Sequence, residues 1–426
     1  MLAFFMIITF VFIFIGLPLF GSLGFSGLIY LLADGTPAAI AFQKMFAGID
    51  KASLLAIPFF ILSGELMNRG GLAKRLVRLA NSLVGNINGG LAITSILCCM
   101  FFAAVSGSGP ATAAAIGAIL IPAMLANGYD RPFASAVIAS ASPMGIIIPP
   151  SIAFVVYGTL SGASIGDMYK AGFPAGIIFG LCLMAVAYFW SRRRGYKGDA
   201  ATAHLKRMAR LKEMWLALID SLWALGMPII IVGGVFGGFF TPTESAVVAV
   251  VYSLLVGLLV YRELKVRELY QVFLNAAKTT TSIMLIMAAA AIFAYVLTYV
   301  KVPQMVLNTV TGMDASKTVL LLLINLVLLI MGMFLEASVI QNITVPILLP
   351  LLVVLDVDLV HFGIIMSTNM AIGMLTPPFG ICLFTAARVG KTTLQDISKV
   401  SLPFLAAMIV ALMIITFFPQ LIMFAV

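Results

Sequence analysis

The chain has 426 residues, of which 62% are hydrophobic and only 10% are charged. Soluble domains carry about 25% charged residues, so this composition excludes a soluble globular protein and requires lipid around much of the surface. The formal net charge of +9 does not indicate nucleic-acid binding, because the basic residues are concentrated in one short segment near the middle of the chain.

Apolar stretches that are long enough to cross a bilayer, about 20 residues each, recur along the whole chain. The alternating segments of about 10 residues that are typical of a membrane β-barrel are absent from the sequence. The predicted class is therefore an all-α polytopic membrane protein, whose helices satisfy their own backbone hydrogen bonds in lipid. The predicted spans are residues 2–20, 171–190, 246–261, 283–300, 318–334, 338–355 and 402–424.

Residues 2–20 are predicted to be a first membrane helix and not a signal peptide that is removed. No basic region precedes this stretch, and no small-residue cleavage site follows it. Farther along, two short segments have the pattern of helices that lie in the membrane interface. They are Arg69–Ala80 and His204–Leu218, each with its apolar side chains on one face.

The central segment carries a third of the positive charge: eight of the 25 Lys and Arg residues lie within residues 191–213. Basic loops remain on the cytoplasmic side of a membrane. We therefore predict a first unit at residues 1–190, a cytoplasmic basic linker with an interfacial helix at 191–220, and a second unit at 221–426. The eight basic residues are Arg192, Arg193, Arg194, Lys197, Lys206, Arg207, Arg210 and Lys212.

The two units share the spacing of their rare helix-breaking residues, which predicts an internal repeat. A shift of 228 residues superimposes these landmarks without a gap, although the overall identity is low. If the repeats are inverted in the membrane, each crosses it an odd number of times, and both chain termini lie in the periplasm. The aligned landmarks are Pro122 with Pro350, Asp130 with Asp358, Gly145 with Gly373, Pro149-Pro150 with Pro377-Pro378, and Gly162 with Gly390.

Each unit contains a polar interruption between two short apolar runs, which is typical of a re-entrant hairpin at a transporter binding site. The predicted hairpin tips lie at 106–110 and 332–338. In the first, Ser108 is expected to cap the second arm, whose first turn contains Pro110. The exposed N–H groups at such a helix start favour an anion. In the second, Glu336 is a carboxylate without a basic neighbour, and ion coordination, proton exchange and structural hydrogen bonding all remain open for it.

Each unit also contains a Pro-Pro pair, at 149–150 and 377–378, that is predicted to break a helix within the membrane at 145–150 and 373–379. Proline cannot donate to the carbonyl four residues earlier. The carbonyls of Gly145, Ile146, Gly373 and Met374 are therefore expected to lack their helical donors. Free carbonyls in a broken helix are suited to a hard cation such as sodium, and the Thr376 hydroxyl adds an oxygen.

The sequence provides no evidence for an enzyme. The two histidines, His204 and His361, are far apart, and the motifs of zinc proteases, P-loop NTPases and α/β-hydrolases are absent. The four cysteines lie in apolar runs and have no metal-ligand or disulfide spacing. No ATP site and no organic cofactor are therefore expected.

Five segments together resemble the large membrane subunit of tripartite ATP-independent periplasmic (TRAP) transporters, and the resemblance covers nearly the whole chain. It is carried by PFFILSGE at 58–65, SGSGPAT at 106–112, IPPS at 148–151, GFFTPTESA at 238–246 and TPPFG at 376–380. The resemblance implies an elevator-type fold with two inverted repeats in a bacterial inner membrane. It also implies a small four-helix membrane subunit and a periplasmic substrate-binding protein as partners.

The same resemblance implies sodium-driven uptake of an organic acid anion, such as sialic acid or a C4-dicarboxylate, without ATP. It implies two sodium sites and an organic anion between the two tips. Sodium site 1 would comprise Ser106, Ser108, Gly145, Ile148 and Pro149. Sodium site 2 would comprise Gly332, Gly373, Thr376 and Phe379. Substrate contacts are expected from Ser108, Pro110, Ser142, Ser338 and Asn369, with Glu336 as a further ion or substrate contact.

Three other functions are compatible with parts of this pattern. A sodium–carboxylate symporter that works without a binding protein would use the same hairpins and breaks. An anion channel would require a continuous polar pore, and no series of pore-lining residues is visible in the sequence. An intramembrane enzyme or scaffold built around Glu336 lacks a nucleophile–base pair or a metal site.

Overall fold

The computed structural model describes residues 2–199, 207–313 and 315–426, and these contain twenty α-helices and no strand. In the first unit, the helices are α1 Leu2–Phe14, α2 Leu19–Ala33, α3 Ala38–Ile49, α4 Ala56–Arg69, α5 Leu72–Val84, α6 Gly90–Ser106, α7 Gly109–Ala126, α8 Arg131–Ala141, α9 Ile152–Ser161 and α10 Ile165–Arg193. In the second, they are α11 Arg207–Phe236, α12 Pro242–Leu255, α13 Val266–Tyr299, α14 Val302–Thr311, α15 Lys317–Gly332, α16 Ala337–Val354, α17 Leu359–Gly373, α18 Ile381–Gly390, α19 Leu394–Phe417 and α20 Gln420–Met423.

The predicted all-α membrane class is confirmed. Among the described residues, seven helices are long and apolar enough to cross a membrane, and α3 with α4 forms a further candidate bent by 61°. The predicted single span at 2–20 is wrong, because α1 ends at Phe14 and α2 starts after Pro18. Proline lacks an N–H and fits the start of a helix better than its interior. The predicted span at 402–424 likewise ends early, at Phe417, just before Pro419.

The helix bounds of the two units are related by a spacing of 228 residues, to within four residues at each bound. Adding this number to Gly109–Ala126 gives the bounds of α16, Ala337–Val354, and adding it to Arg131 gives Leu359, where α17 starts. The matched pairs are α5 with α14, α6 with α15, α7 with α16, α8 with α17, α9 with α18 and α10 with α19. The pairing makes it possible to compare equivalent faces of the two units.

Two large hydrophobic cores and one small core organise these helices. The larger of the two large cores contains α4 to α10 together with α15 to α19, and buried residues of α11, α12 and α13 also enter it. The smaller of the two large cores joins α1, α2 and α3 to the end of α13, and Val339 and Ile343 of α16 also enter it. The hairpins and broken helices therefore lie in the larger core, beside a separate layer formed by the first three helices and α13.

The amphipathic segment predicted near residues 69–80 is present as α5, with Leu72, Leu76 and Leu79 buried. The second predicted amphipathic segment begins at His204, and residues 200–206 lie outside the described part of the chain. From Arg207 onward the helix α11 is continuous to Phe236. The predicted limits of the linker, 190 and 220, therefore fall inside α10 and α11 and not at helix ends.

The first residues after α10 dock onto the start of the first hairpin. Arg194 and the Tyr196 hydroxyl both bond the carboxylate of Asp130, and the Tyr196 ring stacks on Tyr129 at 4.3 Å. The Asp199 N–H donates to the Gly85 carbonyl at 2.7 Å. These contacts place the ends of α5 and α7 on the same side of the protein as the basic linker.

Helix α5 is held to α11 and to the turn before α13 by one arginine. The Arg75 guanidinium bonds Glu263 at 2.8 Å, lies 3.4 Å from Asp220 and stacks 3.6 Å above the ring of Tyr261. Partial burial alone would raise the pKa of Glu263, but the hydrogen bond and charge of Arg75 lower it below the usual value. The side chain of Arg75 is only 17% exposed, so solvent screens these contacts weakly.

We expect Arg75→Ala to lower the free energy of unfolding by about 2 kcal/mol, because Glu263 loses a charged hydrogen-bond donor and Asp220 loses a cation at 3.4 Å. The matched control is Lys74→Ala, since Lys74 also pairs with Glu263, at 3.4 Å, but has a side chain that is 72% exposed. Exposed pairs contribute about 0–1 kcal/mol. Thermal unfolding of the purified variants in detergent measures both effects, and equal shifts for the two variants would contradict the role assigned to Arg75.

Candidate functional site

The first interruption lies between α6 and α7, where the backbone reverses direction within three residues. Gly107 has a φ of +59°, a left-handed conformation that glycine adopts without strain. Ser108 stands at the N-cap of α7, and Pro110 lies in the first turn. The predicted side-chain cap by Ser108 is wrong, because its hydroxyl makes no capping bond. The N–H groups at the start of α7 therefore remain available to a ligand.

Hydroxyl groups close this turn from inside. The Ser106 hydroxyl lies 2.9 Å from the hydroxyl of Thr112, and Thr112 donates to the Ser108 carbonyl at 2.8 Å. Ser106 and Thr112 are buried, whereas Ser108 and Pro110 are partly exposed. The first tip thus presents Ser108 outward and holds a small cluster of hydroxyl and carbonyl oxygens behind it.

The first helix break follows α8. A 3-10 segment, Ser142–Ile146, leads to a non-helical stretch, and α9 starts at Ile152. The N–H groups of Ile147 and Ile148 both donate to Met144. Since Pro149 and Pro150 have no N–H, no backbone donor from the following turn reaches the Gly145 carbonyl.

The expectation of a free carbonyl at Ile146 is wrong, because the Ser151 hydroxyl donates to it at 2.7 Å. Ser151 also caps α9 by accepting from the Phe154 N–H. Proline removes one donor, but a serine just beyond the break supplies another. A carbonyl oxygen has two lone pairs, so this bond leaves one position for a further partner.

The first tip and the first break are in direct backbone contact. A Cβ added at Gly145 would lie 2.8 Å from the Ser108 carbonyl oxygen, and one at Gly107 would lie 2.9 Å from the Pro150 carbonyl oxygen. Both positions therefore require glycine. Three of the five residues predicted for sodium site 1, Ser106, Ser108 and Gly145, are brought together by this contact, and Ile148 and Pro149 follow in the same buried break.

The second interruption lies between α15 and α16, and Glu336 has a structural role there. Its carboxylate accepts from the Ser338 N–H at 2.9 Å and caps α16. The Ser338 carbonyl in turn accepts from the Asn342 amide at 2.8 Å. Of the alternatives that the sequence left open for Glu336, structural hydrogen bonding is the one the geometry displays.

The second break follows α17 and lies against this second tip. The Phe379 N–H donates to the Met333 carbonyl at 3.3 Å, and a Cβ added at Gly373 would lie 2.5 Å from the Gly332 carbonyl oxygen. The residues predicted for sodium site 2 are therefore neighbours: Gly332 lies on Gly373, and Thr376 and Phe379 follow in the break.

Two further expectations of free carbonyls are wrong in this break. The Gly373 carbonyl accepts from the Thr376 N–H at 3.0 Å, and the Met374 carbonyl accepts from the Cys382 N–H at 3.1 Å. The tight turns that follow α17 supply N–H groups that the prolines lack. Thr376 uses its hydroxyl proton on the Ile372 carbonyl at 2.8 Å, which leaves the lone pairs of its oxygen for a cation.

Both tips meet at the second break. A Cβ added at Gly109, in the first turn of α7, would lie 3.1 Å from the sulfur of Met374 and 2.9 Å from that of Cys382. The start of α7 is therefore packed against the same segment that holds the second tip. Gly109 and Met374 are more than 200 residues apart in the sequence, and they come into contact only in the folded protein.

The predicted substrate residues differ in accessibility. Ser108 and Pro110 are partly exposed at the first tip, whereas Ser142, Ser338 and Asn369 are buried. The Asn369 amide donates to Asn325 of α15 at 2.8 Å, and Asn325 donates to the Thr416 hydroxyl at 3.2 Å. Asn369 is thus part of a polar chain through the helix interior, and its side-chain oxygen has no partner among the described residues.

Asn325, Thr112 and Gly64 also contribute to this region, although the sequence did not predict them as site residues. Asn325 is a single polar residue within the apolar run of α15, and its isolation was the available signal. Gly64 lets α4 approach the first tip, since a Cβ there would lie 3.3 Å from the Ser106 Cα. The PFFILSGE segment therefore has a packing role directly behind the tip.

Comparison with known proteins identifies relatives along the full length. The family model of the tripartite ATP-independent periplasmic transporter, DctM component, matches residues 6–421. The isethionate TRAP transporter permease protein DctMQ of Oleidesulfovibrio alaskensis is 42% identical over 97% of this chain, which spans 64% of that relative's length. The C4-dicarboxylate TRAP transporter large permease protein DctM of Pseudomonas aeruginosa is 42% identical over 93% of this chain and 92% of its own.

The sialic acid TRAP transporter permease protein SiaT of Haemophilus influenzae is 35% identical over 98% of this chain and 67% of its own. Among solved structures, the crystal structure of the Alcanivorax borkumensis YdaH transporter has a TM-score of 0.63 with 14% identity, covering 89% of this chain and 87% of that one. At this identity the likeness is one of fold.

We expect Gly373→Ala to destabilise the protein by about 1–3 kcal/mol, because the added methyl group overpacks against the backbone of Gly332. The matched control is Gly233→Ala in α11, where no atom lies within 4 Å of an added Cβ. There the substitution is expected to be neutral or to stabilise by about 0.5–1 kcal/mol, because alanine is the better helix former. Thermal unfolding in detergent measures both, and a loss of similar size at Gly233 would contradict the steric explanation.

Proposed function

Because the chain belongs to the DctM-component family of tripartite ATP-independent periplasmic (TRAP) transporters, we propose that it carries an organic acid anion into the cytoplasm by sodium-driven symport. The observation that supports this most strongly is the meeting of both hairpin tips with the second helix break. Curated relatives are named for isethionate, C4-dicarboxylates and sialic acid. These substrates are all organic acids that are anionic near neutral pH.

The anion is proposed to bind at the first tip, between it and the second tip. The first turn of α7 has N–H groups without helical acceptors, and the helix dipole adds positive potential there. Ser108 is partly exposed, and its hydroxyl is not used as a cap. The second tip presents Glu336 beside Ser338, and the carboxylate is used to cap its own helix. The positive end of α7 is therefore the stronger candidate for the substrate carboxylate.

Sodium is proposed to bind where each tip touches its break. At the first, the Gly145 carbonyl lacks a helical donor and the oxygens of Ser106 and Ser108 are adjacent. At the second, Thr376 and the carbonyls of Gly332 and Gly373 form a similar oxygen-rich contact. Hard cations prefer such oxygens. A cation bound at either contact would tie tip to break and offset the charge of the anion in a medium of low dielectric.

Transport is proposed to proceed by movement of the hairpins and broken helices against a scaffold drawn largely from residues 1–80 and 221–300. The smaller of the two large cores supports this division, since α1, α2, α3 and the end of α13 supply most of it and α16 adds only Val339 and Ile343. Inverted repeats provide two similar packings of the moving part, one for each side of the membrane. The moving part would therefore carry the anion without opening a continuous pore.

A small four-helix membrane subunit and a periplasmic substrate-binding protein are proposed partners, in line with the tripartite family. The protein is proposed to lie in a bacterial inner membrane, with the basic linker in the cytoplasm and both termini in the periplasm. Reporter fusions at Val426 and within residues 200–206 test this orientation. Periplasmic activity from the linker fusion would reverse the proposed topology.

The function is tested by uptake into proteoliposomes that contain the chain with its cognate partners. A panel of labelled organic acids, including succinate, sialic acid and isethionate, is supplied with and without a sodium gradient. We expect at least one acid to be taken up, and we expect its uptake to require both sodium and the binding protein. Uptake without the binding protein would favour the independent symporter, and flux that ignores the sodium gradient would favour a channel.

We expect Thr376→Val to raise the sodium concentration for half-maximal uptake roughly tenfold, equivalent to about 1.4 kcal/mol, because one cation ligand is lost. The matched control is Thr298→Val in α13, where the hydroxyl also donates to a carbonyl one turn earlier, at 2.9 Å. That variant should keep the original sodium response. An unchanged response in Thr376→Val, with normal expression, would remove Thr376 from the proposed sodium site.

A further inference from the structure

The paired helices of the two units have the same sequence spacing but different surroundings. Helices α16 and α9 pack against each other, and both contact the scaffold: α16 contacts α13, and α9 contacts α4 and the 3-10 segment Ala52–Leu55. Their counterparts α7 and α18 also pack against each other. The neighbours of this second pair are α5, α6, α8 and α19.

The 228-residue spacing pairs the residues of α7 with those of α16 and the residues of α9 with those of α18, so that the exposure of matched side chains can be compared. On α7, Ala111 and Ala114 are exposed, whereas the matched residues of α16, Val339 and Asn342, are buried. On α18, Phe384 is 44% exposed, whereas the matched Val156 of α9 is fully buried. The exposed positions of this face are Ala111, Ala114, Ala118, Ile381, Phe384 and Arg388. We call it the α7–α18 face.

The α7–α18 face extends from the tips toward the side that carries the basic linker. At its inner end, the start of α7 lies on the second break. At its outer end, the Gly390 carbonyl accepts from Arg131 at 2.9 Å, next to Asp130, which is bonded by Arg194. The second break is exposed at the inner end of this face, since Phe379 is 59% exposed, whereas residues 141–150 in the first break are all buried.

This asymmetry favours a water-filled cleft over a lipid-facing surface at the α7–α18 face. A face that is packed on the scaffold in one unit and uncovered in the other is the surface from which the scaffold is separated in this conformation. Alanines at 111, 114 and 118 are small enough to let another helix approach closely. The uncovered face therefore leads from the anion site to the linker side.

Arg388 lies on this face, in the last turn of α18, in line with Ile381 and Phe384 at helical spacing. Among the described residues, its guanidinium has no ion-pair or hydrogen-bond partner. The matched residue in the other unit is Leu160 of α9, on the face that is packed. An exposed cation at this position favours contact with water, because a charged side chain that faces lipid is costly.

We propose that the α7–α18 face lines the exit path of the organic anion and that Arg388 is a second anion-binding position on that path. The inference rests on the proposed function and adds a residue to it. Arg388 lies eight residues beyond Gly380, about 12 Å along the helix. That distance exceeds the Debye length of about 8 Å at physiological salt. Arg388 therefore acts on an anion that has already left the tips and holds it at the mouth of the cleft.

The test uses charged thiol reagents as probes and needs no transported substrate. Phe384→Cys and, separately, Ala114→Cys are placed in the full chain, reconstituted in vesicles whose linker side faces the medium. Modification by an anionic reagent, sulfonatoethyl methanethiosulfonate, is compared with that by the cationic trimethylammonium-ethyl reagent. Each rate is divided by that for free 2-mercaptoethanol, and labelled peptides are identified by mass spectrometry, which separates them from the native cysteines.

We expect the anionic reagent to modify Cys at position 384 about 5-fold or more faster than the cationic one, because a cation in a water-filled cleft with low-dielectric walls concentrates anions. Arg388→Gln should reduce this ratio to about 1. The matched control Lys391→Gln removes a neighbouring exposed charge that lies beyond the end of α18 and should leave the ratio unchanged.

Absence of reaction at both 114 and 384 would show a lipid-facing surface and overturn the cleft. Reaction without a preference for the anionic reagent, or a preference that survives Arg388→Gln, would overturn the assignment of Arg388. The thiol reagents are not substrates. A failure of this inference can therefore be distinguished from a failure of the proposed function, which the uptake experiment tests. Two reporter positions keep the test decisive if one variant does not fold.

Discussion

Backbone N–H and carbonyl groups without partners are costly in an apolar interior, and the centre of this protein is organised by that constraint. Four helices, α6, α8, α15 and α17, stop within the larger core, and each end is met by another interrupted segment. Glycines at 107, 145, 332 and 373 permit backbone to lie directly on backbone. Hydroxyls of Ser151 and Thr112, and the Glu336 carboxylate, then satisfy groups that the neighbouring backbone leaves open.

This arrangement combines rigidity with unused binding capacity. Most polar groups at the tips and breaks have one protein partner, but carbonyl and hydroxyl oxygens retain a second lone pair. A cation can therefore bind at the contact of tip and break without first breaking the bonds that hold the turn. The same contact would respond to the ion, since its two sides belong to different helices. In the proposed mechanism, sodium binding and closure of the tip over an anion are thus linked by shared atoms.

Polar contacts of another kind join helices and loops near one surface of the protein. Arg75 connects α5 to α11 and to the turn before α13 through two carboxylates and an aromatic ring. Tyr196, Arg194 and Asp199 connect the residues after α10 to the loops that flank the first hairpin. These polar contacts lie at the surface on one side, where charge is tolerated.

The sequence by itself determined the membrane class, the four interruptions at the hairpin tips and broken helices, and the family. These features are local: apolar length sets a span, and proline or glycine interrupts it wherever it occurs. Tertiary structure decided the rest. Three of four carbonyls expected to be free are bonded by Ser151, Thr376 and Cys382, because a donor a few residues away folds back onto them. Asn369 is bonded to Asn325, which is 44 positions away along the chain. The α7–α18 face is uncovered, whereas the matched face of α16 and α9 is packed, because different helices lie beside them. The shared 228-residue spacing of helix breakers could not predict this difference, since it is the same in both units.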